Sequence, residues 1–162
     1  MYTKDDVSLI GKFLLKAKET ISVAESVTAG NLQAAISMAD FAQEFFQGGI
    51  TVYNVAQKFK HLNVEPIHAL SCNAVSKQVA VQLALGAIQN FSSTWGIGTC
   101  GYAAPVPELG IKTPYAFFAI ARGEVVKISR KIETGATSGR ATQEYYTKSV
   151  LKALEAILKT KS

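Results

Sequence analysis

Cysteine is scarce: Cys72 and Cys100 are the only two in 162 residues. They form no C-x-x-C pair and have no histidine cluster beside them, which excludes a disulfide framework and a zinc site and points to a reduced, cytoplasmic setting. Histidine is as rare. His61 and His68 have no companion ligands, so neither reads as a metal ligand, and no metal or cofactor is expected. No apolar run approaches membrane-spanning length, and the lysines at positions 12 and 16 break the amphipathic N-terminal segment, which lacks the core of a signal peptide. Proline is confined to Pro66 and to Pro105, Pro107 and Pro114. The net charge of +5 is spread over several segments and forms no basic arm, so neither nucleic acid nor a membrane is expected as a partner. An anionic small molecule suits the mild excess. What is present is 48% hydrophobic residues against 18% charged, enough for one domain with its own core.

Val7, Ile10, Phe13, Leu14 and Ala17 recur at helical spacing behind the acidic start Asp5-Asp6, predicting a first helix to about residue 18. A buried strand over 20–24, a helix over 30–38 and a strand over 48–53 follow. A short helix is predicted over 55–62 and a longer one over 76–89, with Ser76 as cap. A strand over 93–99 runs into a loop over 100–114. Strand-like runs at 115–121 and 125–132 flank Arg122-Gly123-Glu124 as a hairpin, and the chain closes on a helix over 138–158. The expected fold is a single α/β domain with a mixed β-sheet sandwiched by α-helices, occupying residues 1–162.

The chemistry-bearing residues cluster early. Ser26 falls where the apolar run Ile21, Val23, Ala24 gives way to the turn Val27-Thr28-Ala29-Gly30 and a helix, a place that exposes a hydroxyl beside free backbone N–H groups. A serine needs a base, and no histidine is near. Lys58 lies five residues past Tyr53, so a strand end and one helical turn can return both toward the same sheet edge. To accept a proton the amine must be neutral, which requires burial or a neighbouring cation. The string Gly96-Ile97-Gly98-Thr99-Cys100-Gly101 matches G-x-G-x-x-G but leads into Pro105 and Pro107 instead of a helix, and Ala121 stands where a ribose-binding acid would be; small residues on a packed strand explain it.

Ala24-Glu25-Ser26-Val27-Thr28-Ala29-Gly30 resembles the A-E-S-C-T-G-G signature of the CinA C-terminal-domain family, the nicotinamide-nucleotide amidohydrolases, and Gly48-Gly49 through Tyr53 to Lys58 resembles its G-G-x-x-x-Y-x-x-x-x-K run. Ala74-Val75-Ser76 is similar to its next helix start and Gly101-Tyr102-Ala103-Ala104-Pro105 to its T-G-I-A-G-P loop. The resemblance implies deamidation of nicotinamide mononucleotide to nicotinic acid mononucleotide and ammonia, with Ser26 as nucleophile, Lys58 as base and Tyr53 orienting or relaying the proton. It implies Thr28, Gly30, Gly101 and Ala103 as substrate-binding residues, Arg140 as a phosphate contact, no cofactor, and a homodimer or higher assembly. The N–H groups from Thr28 to Gly30 are the expected oxyanion donors.

Val27, Ala29, Cys100 and Ala104 depart from the family's Cys, Gly, Thr and Gly, and Val106-Pro107-Glu108-Leu109-Gly110 replaces its Gly-rich segment. Each lost glycine removes a place for positive φ or close ligand approach, and a thiol donates more weakly than a hydroxyl. Two rival readings follow: a catalytically impaired fold that binds a nucleotide or protein, and an amidase for another small amide lacking the phosphate.

Overall fold

Asp5 and Asp6 open α1 (Asp5–Ala17), where the Asp6 carboxylate accepts from the Thr3 N–H and hydroxyl and complements the helix dipole. Its apolar stripe, Val7, Ile10 and Leu14, is buried. The wholly buried β1 (Ile21–Glu25) follows, then α2 (Asn31–Ser37), α3 (Ala42–Phe45) and β2 (Phe46–Thr51). Asn54 starts α4 (Val55–Leu62) by accepting from the Gln57 N–H at 2.9 Å. Next come α5 (Pro66–Ser71), α6 (Lys77–Phe91) with Ser76 accepting from the Val79 N–H, β3 (Trp95–Gly101), the hairpin β4 (Tyr115–Arg122) and β5 (Val125–Glu133), and α7 (Gly139–Lys159). The computed structural model describes residues 1–136 and 138–160. None of its helices is long and apolar enough to cross a membrane.

The short α3 and α5 are additions to the sequence reading. At α5, Pro66 occupies the first turn and the Glu65 carboxylate accepts from the N–H groups of Ile67 and His68, a capped start for only six residues. The loop expected from residue 100 begins after Gly101, because Cys100 and Gly101 still pair with Phe117 and Ala116. Within it, Pro107–Leu109 form one tight turn closed by backbone bonds between Val106 and Ile111.

The five strands run in the order β2-β1-β3-β4-β5, parallel across β2-β1-β3 and antiparallel beyond. This is the mixed sheet that the alternation of strands and helices predicts. Side chains alternate across it, so β1, β3 and β4 each serve two cores. Ile21, Val23, Trp95, Ile97, Phe118 and Ile120 pack against α1, α2, α3 and α7. The opposite face, with Ala24, Ala119 and Ala121, packs against α4, α5 and α6.

That second face is small by necessity. A Cβ on Gly98 would sit 2.2 Å from the Ala80 carbonyl oxygen and one on Gly96 2.2 Å from that of Ala84, so α6 lies directly on β3. The first two glycines of the G-x-G-x-x-G string are therefore packing residues. Gly98→Val is expected to lower stability by about 3 kcal/mol or to block folding, since the colliding atoms are helix backbone. Urea unfolding checks this; an unchanged midpoint contradicts it.

Because β2 and β3 flank β1 and their connections leave in opposite directions, the C-terminal end of β1 is where the chain's crossovers part. Open α/β sheets bind ligands at such a point. Ser26 is the first residue beyond it.

Candidate active site

Two hydrogen bonds hold the end of β1 rigid: the Ser26 N–H donates to the Thr99 carbonyl at 3.1 Å, and the Val52 N–H donates to the Glu25 carbonyl at 2.8 Å. The turn that follows is left-handed at Ala29 (φ 52°) and Gly30 (φ 94°). Alanine thus keeps the conformation a glycine would adopt there, at a cost of about 1 kcal/mol. The altered residue preserves the turn's path.

Glu25 organises the turn from within. Its buried carboxylate accepts from the N–H of Gly30 at 3.0 Å, of Leu32 at 3.0 Å and of Gln33 at 2.9 Å, satisfying the first turn of α2 and meeting its positive end. Glu25→Ala is expected to cost about 2–3 kcal/mol, because three N–H groups lose a charged acceptor inside the fold. Denaturant titration checks it. A loss below a few tenths of a kcal/mol would show that water replaces the carboxylate.

Lys58 reaches Ser26 from the other side. The Asn54 cap starts α4 so that Lys58, four residues on, falls on its inner face with Leu62. The residue is 1% exposed, and its Nζ lies 3.1 Å from Ser26 Oγ, 3.2 Å from the Val52 carbonyl and 3.0 Å from the Tyr53 carbonyl. Burial pushes the amine below the ordinary lysine value, against a smaller opposing influence from Cys100. The partner set accommodates both protonation states. Protonated, the amine donates to all three oxygens; neutral, it gives its two hydrogens to the Val52 and Tyr53 carbonyls and turns its lone pair to the Ser26 hydroxyl.

The dyad faces an open cleft of about 210 Å³, with Val27, Tyr53, Gly101 and Ala103 also in its wall. Tyr53 contributes differently from expectation. Its ring is 65% exposed and its hydroxyl meets no partner among the described residues, while its carbonyl holds Lys58. The chain reverses between β2 and the α4 cap, which turns the backbone inward and the phenol to the rim. Thr28 is buried with its hydroxyl 2.8 Å from that of Thr99, supporting the turn without lining the cleft. Gly30 is likewise absent from the wall, its N–H held by Glu25.

Of the N–H groups from Thr28 to Gly30 expected to face an oxyanion, two are engaged within the turn. The Ala29 N–H bonds to the Ser26 carbonyl at 3.1 Å and the Gly30 N–H to Glu25, whereas those of Val27 and Thr28 meet no acceptor among the described residues. Cys100 points away from the cleft: its buried thiol, pushed up to about 12 by desolvation, donates to the Ser76 carbonyl. Arg140 does not line the cleft. Its side chain is 80% exposed and pairs with Glu144 at 3.2 Å, one turn along α7, and Glu144 also takes the N-terminal ammonium at 3.0 Å.

Three wall residues escaped sequence reading. Asn73, in a left-handed corner with Ala74, donates through Nδ2 to the Tyr102 hydroxyl at 3.2 Å, and Gln143 projects from α7. Tyr102 is held in turn by Tyr146, whose hydroxyl donates to the Tyr102 carbonyl at 3.1 Å. These segments lie far apart in the chain; Tyr102 falls inside the loop motif at 101–105, but no local pattern marks Asn73 or Gln143.

The sequence matches the family model for the CinA C-terminal domain over residues 4–161. A CinA-like protein of Prochlorococcus marinus is 36% identical over 165 residues, covering 96% of this chain and 37% of the relative. Another, from a Picosynechococcus strain, is 44% identical over 97 residues, or 60% of this chain and 23% of the relative. The chain thus spans well under half the length of these curated relatives. Among solved structures, a competence-damaged protein (CinA) superfamily protein from Klebsiella pneumoniae superposes with a TM-score of 0.91 at 20% identity, covering 99% of each chain. The competence/damage-inducible protein of Agrobacterium tumefaciens gives 0.83 at 20% identity over 98% of each.

Proposed function

The chain belongs to the CinA C-terminal domain family, and from that premise we propose that it is a serine amidohydrolase that cleaves a small carboxamide to the acid and ammonia. The observation that carries this reading is the 3.1 Å approach of a buried lysine amine to the Ser26 hydroxyl, with no carboxylate among the amine's partners to hold it protonated. Nicotinamide mononucleotide is the first substrate to test, on the strength of the motif resemblance.

In the proposed reaction Ser26 Oγ attacks the amide carbon as its proton passes to Lys58 Nζ. The N–H of Val27, with that of Thr28 beside it, serves the developing oxyanion in place of the donors at Ala29 and Gly30. Collapse breaks the C–N bond, and the lysine ammonium returns its proton to the leaving nitrogen, releasing ammonia. Water then attacks the acyl-serine, giving its proton to Lys58, which restores Ser26 and frees the carboxylic acid. Ammonia release from nicotinamide mononucleotide, from its dephosphorylated nucleoside and from free nicotinamide tests this. Turnover that depends on Ser26 supports the reading, and its absence on every amide favours a fold that only binds.

A further inference from the structure

Apart from the exposed Tyr53, every titratable side chain around the cleft has a partner among the described residues or a place outside it, and this bears on what enters. Lys58 is the only cation in the wall among the described residues, and its Nζ already faces Ser26 and two carbonyls. Arg140 is turned to solvent and paired with Glu144, and Lys112 lines a separate groove with Thr113 and Thr134. A phosphate held inside such a cleft would meet phenols and carboxamides but no compensating charge, an arrangement that leaves most of its desolvation unbalanced.

The neutral polar groups, by contrast, have free capacity. The Gln143 side chain makes no hydrogen bond among the described residues, and Asn73 Oδ1 is free while its Nδ2 donates to Tyr102. A carboxamide offers both a donor and an acceptor, and Tyr102, which accepts from Asn73, retains its own hydrogen to donate. Resting on the amidohydrolase reading above, we propose that the cleft selects an unphosphorylated amide, with Gln143 and Asn73 as the side chains that recognise its polar edge. Gln143 is the specificity-determining residue in this arrangement, because α7 presents it in the cleft wall with no side-chain hydrogen bond among the described residues.

The test separates recognition from chemistry. Binding is measured by calorimetry on the Ser26→Ala protein with nicotinamide mononucleotide and with its dephosphorylated nucleoside, and turnover of both is followed with the intact protein. The nucleoside is expected to bind at least as tightly as the nucleotide. Gln143→Leu is expected to weaken nucleoside binding about tenfold, raising KM while leaving kcat within about twofold, as for one lost hydrogen bond. Gln143→Arg is expected to shift the preference toward the nucleotide by about tenfold. A tenfold preference of the unaltered protein for the nucleotide, or Gln143→Leu binding both ligands as the parent does, overturns the proposal. Binding in the expected order without turnover would uphold the recognition argument and remove the amidohydrolase reading instead.

Discussion

Ser26→Ala is expected to reduce amide hydrolysis by about 10⁴-fold or more while leaving the fold and its thermal midpoint nearly unchanged. The size follows from the mechanism. Removing the hydroxyl removes the acyl-enzyme path altogether, so only direct attack by water remains, and that route retains whatever help the oxyanion donors give. Structure is spared because Ser26 is fixed through its backbone N–H to Thr99, which alanine keeps. Ammonia release under single-turnover conditions measures the effect. A variant within tenfold of the parent would place the nucleophile elsewhere.

Lys58→Met is expected to lower kcat/KM by about 10³-fold, within the range of a lost general base. The parent's pH profile carries the sign. A base works unprotonated, so kcat/KM rises with pH through the depressed value of Lys58 in the free enzyme and levels above it; it is lost as pH falls through that value. Stability follows the same group. In the unfolded chain the amine titrates near its ordinary value of about 10.4, so between the depressed folded value and about 10.4 the unfolded state holds the extra proton. Stability therefore increases with pH across that window and is lowest below it. Lys58→Met is expected to lack this rise. Chemical denaturation at several alkaline pH values checks it, and identical slopes for the two proteins contradict the burial argument.

The elements were legible wherever one local cause decided them. The stripe Val7, Ile10, Leu14, the cap at Ser76 and the turn at Gly123 each act within one or two helical turns, and the structure follows them. The short α3 and α5 were not legible, because four and six residues carry too little periodicity; Glu65-Pro66 was the available signal for α5. Partial legibility at the site has the same origin. Ser26 and Lys58 meet because β1, β2 and α4 follow one another closely, whereas Asn73, Tyr102 and Gln143 converge only through the sheet order and the packing of α7.

Arg140 shows the limit of carrying a residue over by position. It stands at the start of the right helix, yet Glu144 one turn along captures its guanidinium, an i,i+4 pair visible in the sequence. Ala29 shows the opposite: a changed residue type conceals an unchanged backbone, since it retains positive φ. The cleft's composition separates this chain's substrate question from its chemistry. The dyad is assembled by backbone geometry that the substitutions leave intact, and of the four changed positions only Val27 lines the cleft.

The most direct test of a lysine-activated Ser26 needs no knowledge of the substrate. Incubation with a small phosphonofluoridate across a pH series, followed by peptide mass spectrometry, reads the nucleophilicity of each hydroxyl. Phosphonylation is expected to be confined to Ser26, with a rate that falls as pH falls through the depressed Lys58 value and drops to background in Lys58→Met. Labelling spread over other hydroxyls, or Ser26 labelled equally fast in Lys58→Met, would contradict it.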